Sequence, residues 1–137
     1  MTDIGIPEII ITDKIEDSDS ITYEAKAKER PSYCTNPFCL FYREPNIHSK
    51  KYNRIRDVKS EGKQVFINLK ITRYRCPKCG EIISDSFTFY EKKSHTTNRL
   101  KEEYRMRHRK GETYLSIATD YGVDHKTVAA ACKADQN

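Results

Sequence analysis

Apolar and polar residues alternate with period two through the first half of the chain, and a helical period replaces this alternation near residue 97. Glu8–Asp13 holds the run Ile9-Ile10-Ile11. In Ser20–Ala27 the residues Ile21, Tyr23, Ala25 and Ala27 alternate with polar neighbours, the mark of a half-buried strand. Between the two, Asp17-Ser18-Asp19-Ser20 supplies turn chemistry, so an antiparallel hairpin is expected. Residues 50–58 and 64–75 read as a second hairpin. Its returning strand puts Val65, Ile67, Leu69 and Ile71 on one face, and its Glu61-Gly62-Lys63 turn contains a glycine that tolerates positive φ.

Three helices are expected over 98–109, 113–121 and 125–133. Thr97 or Thr96 caps the first, Thr113 the second and Asp124 the third, each accepting a hydrogen bond from an amide of the first turn. Gly111 and Gly122 mark the breaks. The polar run Glu91–Thr96 reads as a linker, and Pro37, Pro45 and Asn46 argue against a long helix between the two hairpins.

Length and composition favour small modules over one large core. A chain of 137 residues that is 36% hydrophobic, 33% charged and lacks Trp has little material for a deep apolar substrate cavity. Domains below about 70 residues seldom build a sufficient core without a staple. The net charge of +5 hides a segregation: residues 1–30 carry 4 basic and 8 acidic side chains, whereas residues 50–79 carry 10 basic and 2 acidic. The basic middle is the footprint of a surface that meets phosphates, or else a solvated, charge-rich strand face. No stretch is long and apolar enough to span a bilayer, and Met1–Ile11 lacks the features of a signal peptide, so an intracellular, cytoplasmic protein is expected.

Four of the five cysteines form two close pairs, Cys34-Thr-Asn-Pro-Phe-Cys39 and Cys76-Pro-Lys-Cys79-Gly80. Such pairs, brought together by a hairpin, meet zinc's need for four tetrahedral ligands about 2.3 Å from the metal. The second pair is the sharper signal: its proline fixes φ inside the knuckle and its glycine permits the tight exit. A closed site of Cys34, Cys39, Cys76 and Cys79 would hold one structural zinc with no open position for catalysis. An iron-thiolate centre could use similar ligands. His48 or His95 would enter only by displacing a cysteine, and Cys132, among alanines, reads as a small buried hydrophobe.

Residues 114–133 have the length and packing pattern of a helix-turn-helix. Ala118 is small where two helices approach, Gly122 sits at the turn, and Ile117, Tyr121, Val123, Val128 and Ala131 form a shared seam. His125, Lys126 and Thr127 would then lead the second helix into a major groove, with Ala129, Ala130 and Lys133 further along. The preceding run of Arg99, Arg105, Arg107, Arg109 and Lys110 could track phosphates, as could Arg54, Arg56, Lys63, Lys70, Arg73 and Arg75 on the second hairpin. An ordinary helical hairpin docking a partner domain is the competing reading.

These features together resemble the N-terminal region of the ISL-three family of bacterial insertion-sequence transposases. The resemblance rests on the acidic strand pair, Arg54-Ile-Arg56-Asp57-Val58, Gly62-Lys63-Gln-Val65, Arg73-Tyr-Arg75-Cys-Pro-Lys-Cys-Gly80 and the helices that follow. It implies double-stranded DNA as partner, terminal inverted repeats as the recognised sites, association with the nucleoid, and a separate downstream ribonuclease-H-like domain that cuts and joins DNA. The sequence stops at Asn137, and Asp120, Asp124 and Asp135 do not make that domain's acidic triad, so no catalytic centre is expected here, and self-association would fall to the missing domain. The expected architecture is α+β: an acidic hairpin over 1–30 packed on a zinc ribbon over 31–90, then a three-helix helix-turn-helix over 97–137. A transcriptional regulator built from the same parts, or a zinc-ribbon adaptor docking an acidic protein, would share this sequence pattern.

Overall fold

Strands form where the alternation runs and helices where it stops. In the computed structural model, which describes residues 4–29, 39, 46–91 and 94–134, the elements are β1 (Ile9–Glu16), β2 (Ser20–Ala27), β3 (Asn46–Ser60), β4 (Lys63–Arg75), β5 (Ile82–Ser84), α1 (Asn98–Arg109), α2 (Tyr114–Tyr121) and α3 (His125–Ala134). The class is α+β, with one mixed sheet of five strands and three helices. Among the described residues no helix is long and apolar enough to cross a membrane.

The two hairpins share that sheet, in the order β1-β2-β4-β3. β1 and β2 pair antiparallel, as do β3 and β4, while β2 lies parallel to β4 with Ile21 beside Val65 and Ala25 beside Leu69. The pairing of β2 with β4 stops at Lys26, opposite Lys70, and β5 takes over the same edge of β4 at Arg73–Arg75. A two-residue turn closes β3 onto β4, with Glu61 and Gly62 both at positive φ (52° and 77°). Positive φ at both central positions matches the twist of the flanking strands.

One face of the sheet is apolar. Ile9, Ala25, Ile55, Ile67, Leu69 and Ile71 pack there with Ile6 and Tyr90 from flanking loops, and Phe87 and Phe89 press against them. The helices have their own core of Leu100, Tyr104, Ile117, Ala118, Tyr121, Val128, Ala131 and Cys132, into which Val58 reaches from β3. Burying each large aliphatic side chain contributes roughly 1.5–3 kcal/mol. Cys132 is thus the small buried hydrophobe expected of it.

Helix ends fall where the sequence places them. The Thr97 and Thr113 side chains accept from the amides of Leu100 and Ser116 at 3.2 and 3.1 Å, and Asp124 Oδ1 accepts from the Lys126 amide at 2.9 Å. Gly122 ends α2 in the left-handed region, at φ 67°.

Two features depart from the sequence reading. β3 starts at Asn46, four residues before position 50, because Asn46 and Ile47 pair with Arg75 and Tyr74 of the long partner strand, and this pairing overrides the local turn signals of Pro45 and Asn46. The run Glu91–Thr96 is not a loose linker at its C-terminal end. The Arg56 amide donates to the His95 carbonyl (2.8 Å), the Thr97 amide donates to the Arg56 carbonyl (3.0 Å), and Thr96 and Thr97 are buried.

Asp57, 1% exposed, joins sheet to helices. It accepts from the Thr97 hydroxyl (2.8 Å) and forms a two-pronged ion pair with Arg99, whose Nη1 also donates to the Ile4 carbonyl (2.8 Å). Removing one partner of a buried pair costs about 3–5 kcal/mol when the other is left uncompensated. The Arg99 side chain is 39% exposed and can be solvated alone, whereas Asp57 cannot. Arg99→Ala is therefore expected to destabilise more than Asp57→Ala, a ranking that urea unfolding of the two variants checks.

The Tyr104 hydroxyl is buried with no hydrogen-bond partner among the described residues, and burial pushes its pKa up to about 12. Tyr104→Phe removes an unsatisfied group and is expected to be neutral or stabilising by about 1 kcal/mol. The folded pKa lies above the unfolded value near 10, so this phenol's contribution is complete below pH 10 and is lost as pH rises toward 12. Thermal melts across that window should show a shallower alkaline decline for Tyr104→Phe than for the wild type.

Candidate metal centre and charged surfaces

β4 delivers Cys76 directly into a tight turn that returns as β5. The Gly80 amide donates to the Cys76 carbonyl and the Cys76 amide to the Glu81 carbonyl, both at 3.0 Å, with Gly80 at φ 76°. Two further amides point at sulfur: Lys78 N–H donates to Cys76 Sγ and Glu81 N–H to Cys79 Sγ, each at 3.4 Å. Amides aimed at a sulfur stabilise it as thiolate, the form that binds metal. Tyr74 and Ile83 pack beneath Cys76, with Cys39 against them.

The sulfurs of Cys39, Cys76 and Cys79 lie within 4.8 Å of one another, close enough to hold a metal ion. Cys39 and Cys76 are 3.8 Å apart, well beyond disulfide bonding distance. Four thiolates about 2.3 Å from a common zinc would stand about 3.8 Å from one another, so this edge already has tetrahedral length. Three of the four expected ligands converge; Cys34, the fourth, lies outside the described residues. Neither His48 nor His95 belongs to the cluster, and the His95 ring nitrogen sits 3.3 Å from the Arg54 carbonyl oxygen.

The basic residues named from sequence divide into distinct environments. Arg56 is half-buried at the sheet–helix joint, donating to the Tyr121 carbonyl (2.8 Å) and Gln64 Oε1 (2.9 Å), and burial lowers its pKa. Gln64 in turn donates to the Asp120 carbonyl at 2.9 Å, so the end of the β3–β4 hairpin grips the end of α2. Arg99 is held by Asp57. Arg107 makes paired bonds of 2.7 Å to Glu112 and one of 2.8 Å to Asp120, and these carboxylates, Glu112 first, raise its pKa. Lys63 pairs with Glu16 at 2.6 Å, and Lys59 with Asp120 at 2.7 Å.

Arg54, Arg73 and Arg75 are exposed, but they do not share a face. The register sets Arg54 across from Asn68 on the face away from the apolar core, whereas Arg73 and Arg75 continue the Val65–Ile71 side beyond the end of that core. Lys70 belongs with Arg54. Beside it are Lys26, directly across on β2, and Lys50, two residues along β3 from its partner Tyr52. Lys50 in particular, then burial and Lys26, lowers the Lys70 pKa, as crowded like charges do. This lysine group was missed in the sequence because Lys26 belongs to the acidic segment and reaches the basic hairpin only through the parallel β2–β4 pairing.

His125, Lys126 and Thr127 are all exposed at the start of α3, and Lys133 is exposed near its end. The His125 ring nitrogen lies 3.4 Å from Asp124 Oδ1. The chain matches no family model, no curated protein and no solved structure.

Metal binding should be stoichiometric and structural. One metal per chain is expected by elemental analysis, lost in Cys76→Ser and Cys79→Ser and weakened in Cys34→Ser, while Cys132→Ser retains it. Chelation is expected to unfold the region around β4 and β5, because ligand bonds supply folding energy that its small core of Tyr74, Cys76 and Ile83 cannot. A far-ultraviolet spectrum unchanged by chelator would refute this.

Proposed function

We propose that this chain is a zinc-stabilised, sequence-specific DNA-binding module that recognises the terminal inverted repeats of a transposon. The observation that carries this reading is the disposition of α3. Its back, through Val128, Ala131 and Cys132, is locked into the helical core, and a left-handed glycine sets its angle to α2. Its leading residues His125, Lys126 and Thr127 remain in solvent. A helix braced from behind with donors at its N-terminal end is suited to entering a major groove and meeting base edges. The closed thiolate site is architectural in this reading, and the chain binds DNA without cutting it. The transposon assignment rests on the resemblance of the acidic strand pair, Arg54–Val58, Gly62–Val65, Arg73–Gly80 and the helices to ISL-three transposases.

The phosphate-contacting set is narrower than composition suggests. Arg56, Arg99 and Arg107 are committed to intramolecular partners, which leaves Arg73, Arg75 and Lys133 among the exposed cations. In binding titrations on selected and random duplexes, replacing His125, Lys126 or Thr127 should cost on the order of 1–3 kcal/mol against the preferred site and much less against random DNA. Arg73→Ala or Arg75→Ala should weaken both duplexes alike and reduce the salt slope by about 0.9 per lost phosphate contact. Arg99→Ala and Arg107→Ala should instead lower the melting temperature with little change in slope. Uniform losses from the α3 variants would exclude α3 as the reader, and weak, unselective binding by the wild type would favour an adaptor.

A further inference from the structure

The face of the sheet turned away from the apolar core has a composition of its own. Along β3 it presents Lys50, Tyr52, Arg54 and Arg56; along β4, Phe66, Asn68 and Lys70; along β2, Thr22, Glu24 and Lys26. Tyr52 is 63% exposed, unusual for an aromatic in the middle of a strand, and stands directly across from Lys70. Phe66 lies beneath two guanidiniums, with Arg54 at 4.0 Å and Arg56 at 4.6 Å from its ring centre. Where β2 ends and β5 begins, the face dips into an open cleft of about 290 Å³ lined by Lys26, Lys50, Lys70, Thr72 and Asp85.

Three carboxylates stand among these charges: Asp85 and Glu29 line the cleft, where Lys28 joins the other lysines, and Glu24 lies on the adjoining face; Glu24 and Asp85 are engaged by neighbours. Glu24 accepts from the Asn68 amide at 3.0 and 3.2 Å. Asp85 accepts from the Thr72 amide at 3.0 Å, and burial pushes its pKa up. Three lysines from three strands therefore share one cleft beside an exposed tyrosine ring.

Shape decides between ligands of the same charge. Four strands spaced about 4.8 Å apart make a face wider than the roughly 12 Å major groove, so this surface cannot enter a duplex as α3 can. Unpaired bases, by contrast, lie flat on exposed rings and guanidinium planes while their phosphates run along flanking cations. Tyr52 and the Arg54–Phe66 stack provide such planes within one row of the sheet, and the lysine cleft lies beside Tyr52.

We propose that the outer face of the sheet binds single-stranded DNA, with bases stacked on Tyr52 and on Arg54 over Phe66 and with the backbone phosphates held by Lys26, Lys50 and Lys70. This function is separate from duplex reading by α3 and uses different residues. It rests on the nucleic-acid reading above only for the choice of DNA.

The test is fluorescence anisotropy of the metal-loaded full chain with a twelve-nucleotide mixed-sequence single strand and, separately, with the duplex selected for α3. The expected result is that Tyr52→Ala and the triple variant Lys26→Gln/Lys50→Gln/Lys70→Gln each lose at least tenfold in single-strand affinity and change duplex affinity less than threefold. The triple variant should also show a salt slope smaller by about 2, near 0.7 per phosphate contact. Restoring charge with Lys26→Arg/Lys50→Arg/Lys70→Arg should recover binding, and unchanged melting curves exclude misfolding as the cause. Lys126→Ala should show the opposite pattern, losing duplex and keeping single strand. Equal single-strand affinity for wild type and variants, or a loss confined to duplex, overturns the proposal while leaving duplex reading intact. Single-strand binding that persists when no duplex is selected overturns α3 as reader and supports the sheet face.

Discussion

A carboxylate with almost no access to water ties the sheet of this protein to its first helix and to its N-terminal segment. Asp57 sits on the core side of β3, where the strand alternation calls for an apolar residue, and a charge placed there needs partners wherever they can be found. It takes the cap of α1 through Thr97, the first turn of α1 through Arg99 and, through Arg99, the backbone at Ile4. The N-terminal segment, the sheet and the first helix thus meet at one buried charge. An apolar residue at 57 could bury equal area, but it could not dictate which turn of which helix lies over it.

Much of this architecture is legible in the sequence because the elements are local. The period-two run from Val65 to Ile71, the turn glycine at position 62, and the threonine caps at positions 97 and 113 each act over a few residues. What is not legible is non-local. The parallel pairing of β2 with β4 has no signature in either segment, so the acidic hairpin reads as a separate layer although it belongs to the same sheet. β5 is three residues long and exists because the cysteine knuckle turns the chain back onto β4.

The same limit explains the uneven fate of the cations. Charge runs in a sequence carry no information about which arginines are spent inside the protein. Arg56, Arg99 and Arg107 look identical to Arg54 and Arg73 in composition, yet three of the five hold elements together and two face solvent. The cysteines are easier to read: tetrahedral coordination demands close pairs, and the six residues from Cys76 to Glu81 contain the geometry that aims two amides at two sulfurs.

The length of β4 has a consequence for how much DNA such a protein could cover. Its thirteen residues separate the hairpin tip, where α2 is gripped, from the cysteine knuckle. At about 3.3 Å per residue that strand is a strut of roughly 40 Å, longer than the 34–36 Å of one turn of B-form duplex. A duplex touched at both ends of the strut would present the same groove face twice, slightly out of phase. Under the proposed function, such a protein would measure helical phase as well as sequence: inserting half a turn of base pairs between the two contacts would break one of them, whereas inserting a whole turn would exceed the strut's reach.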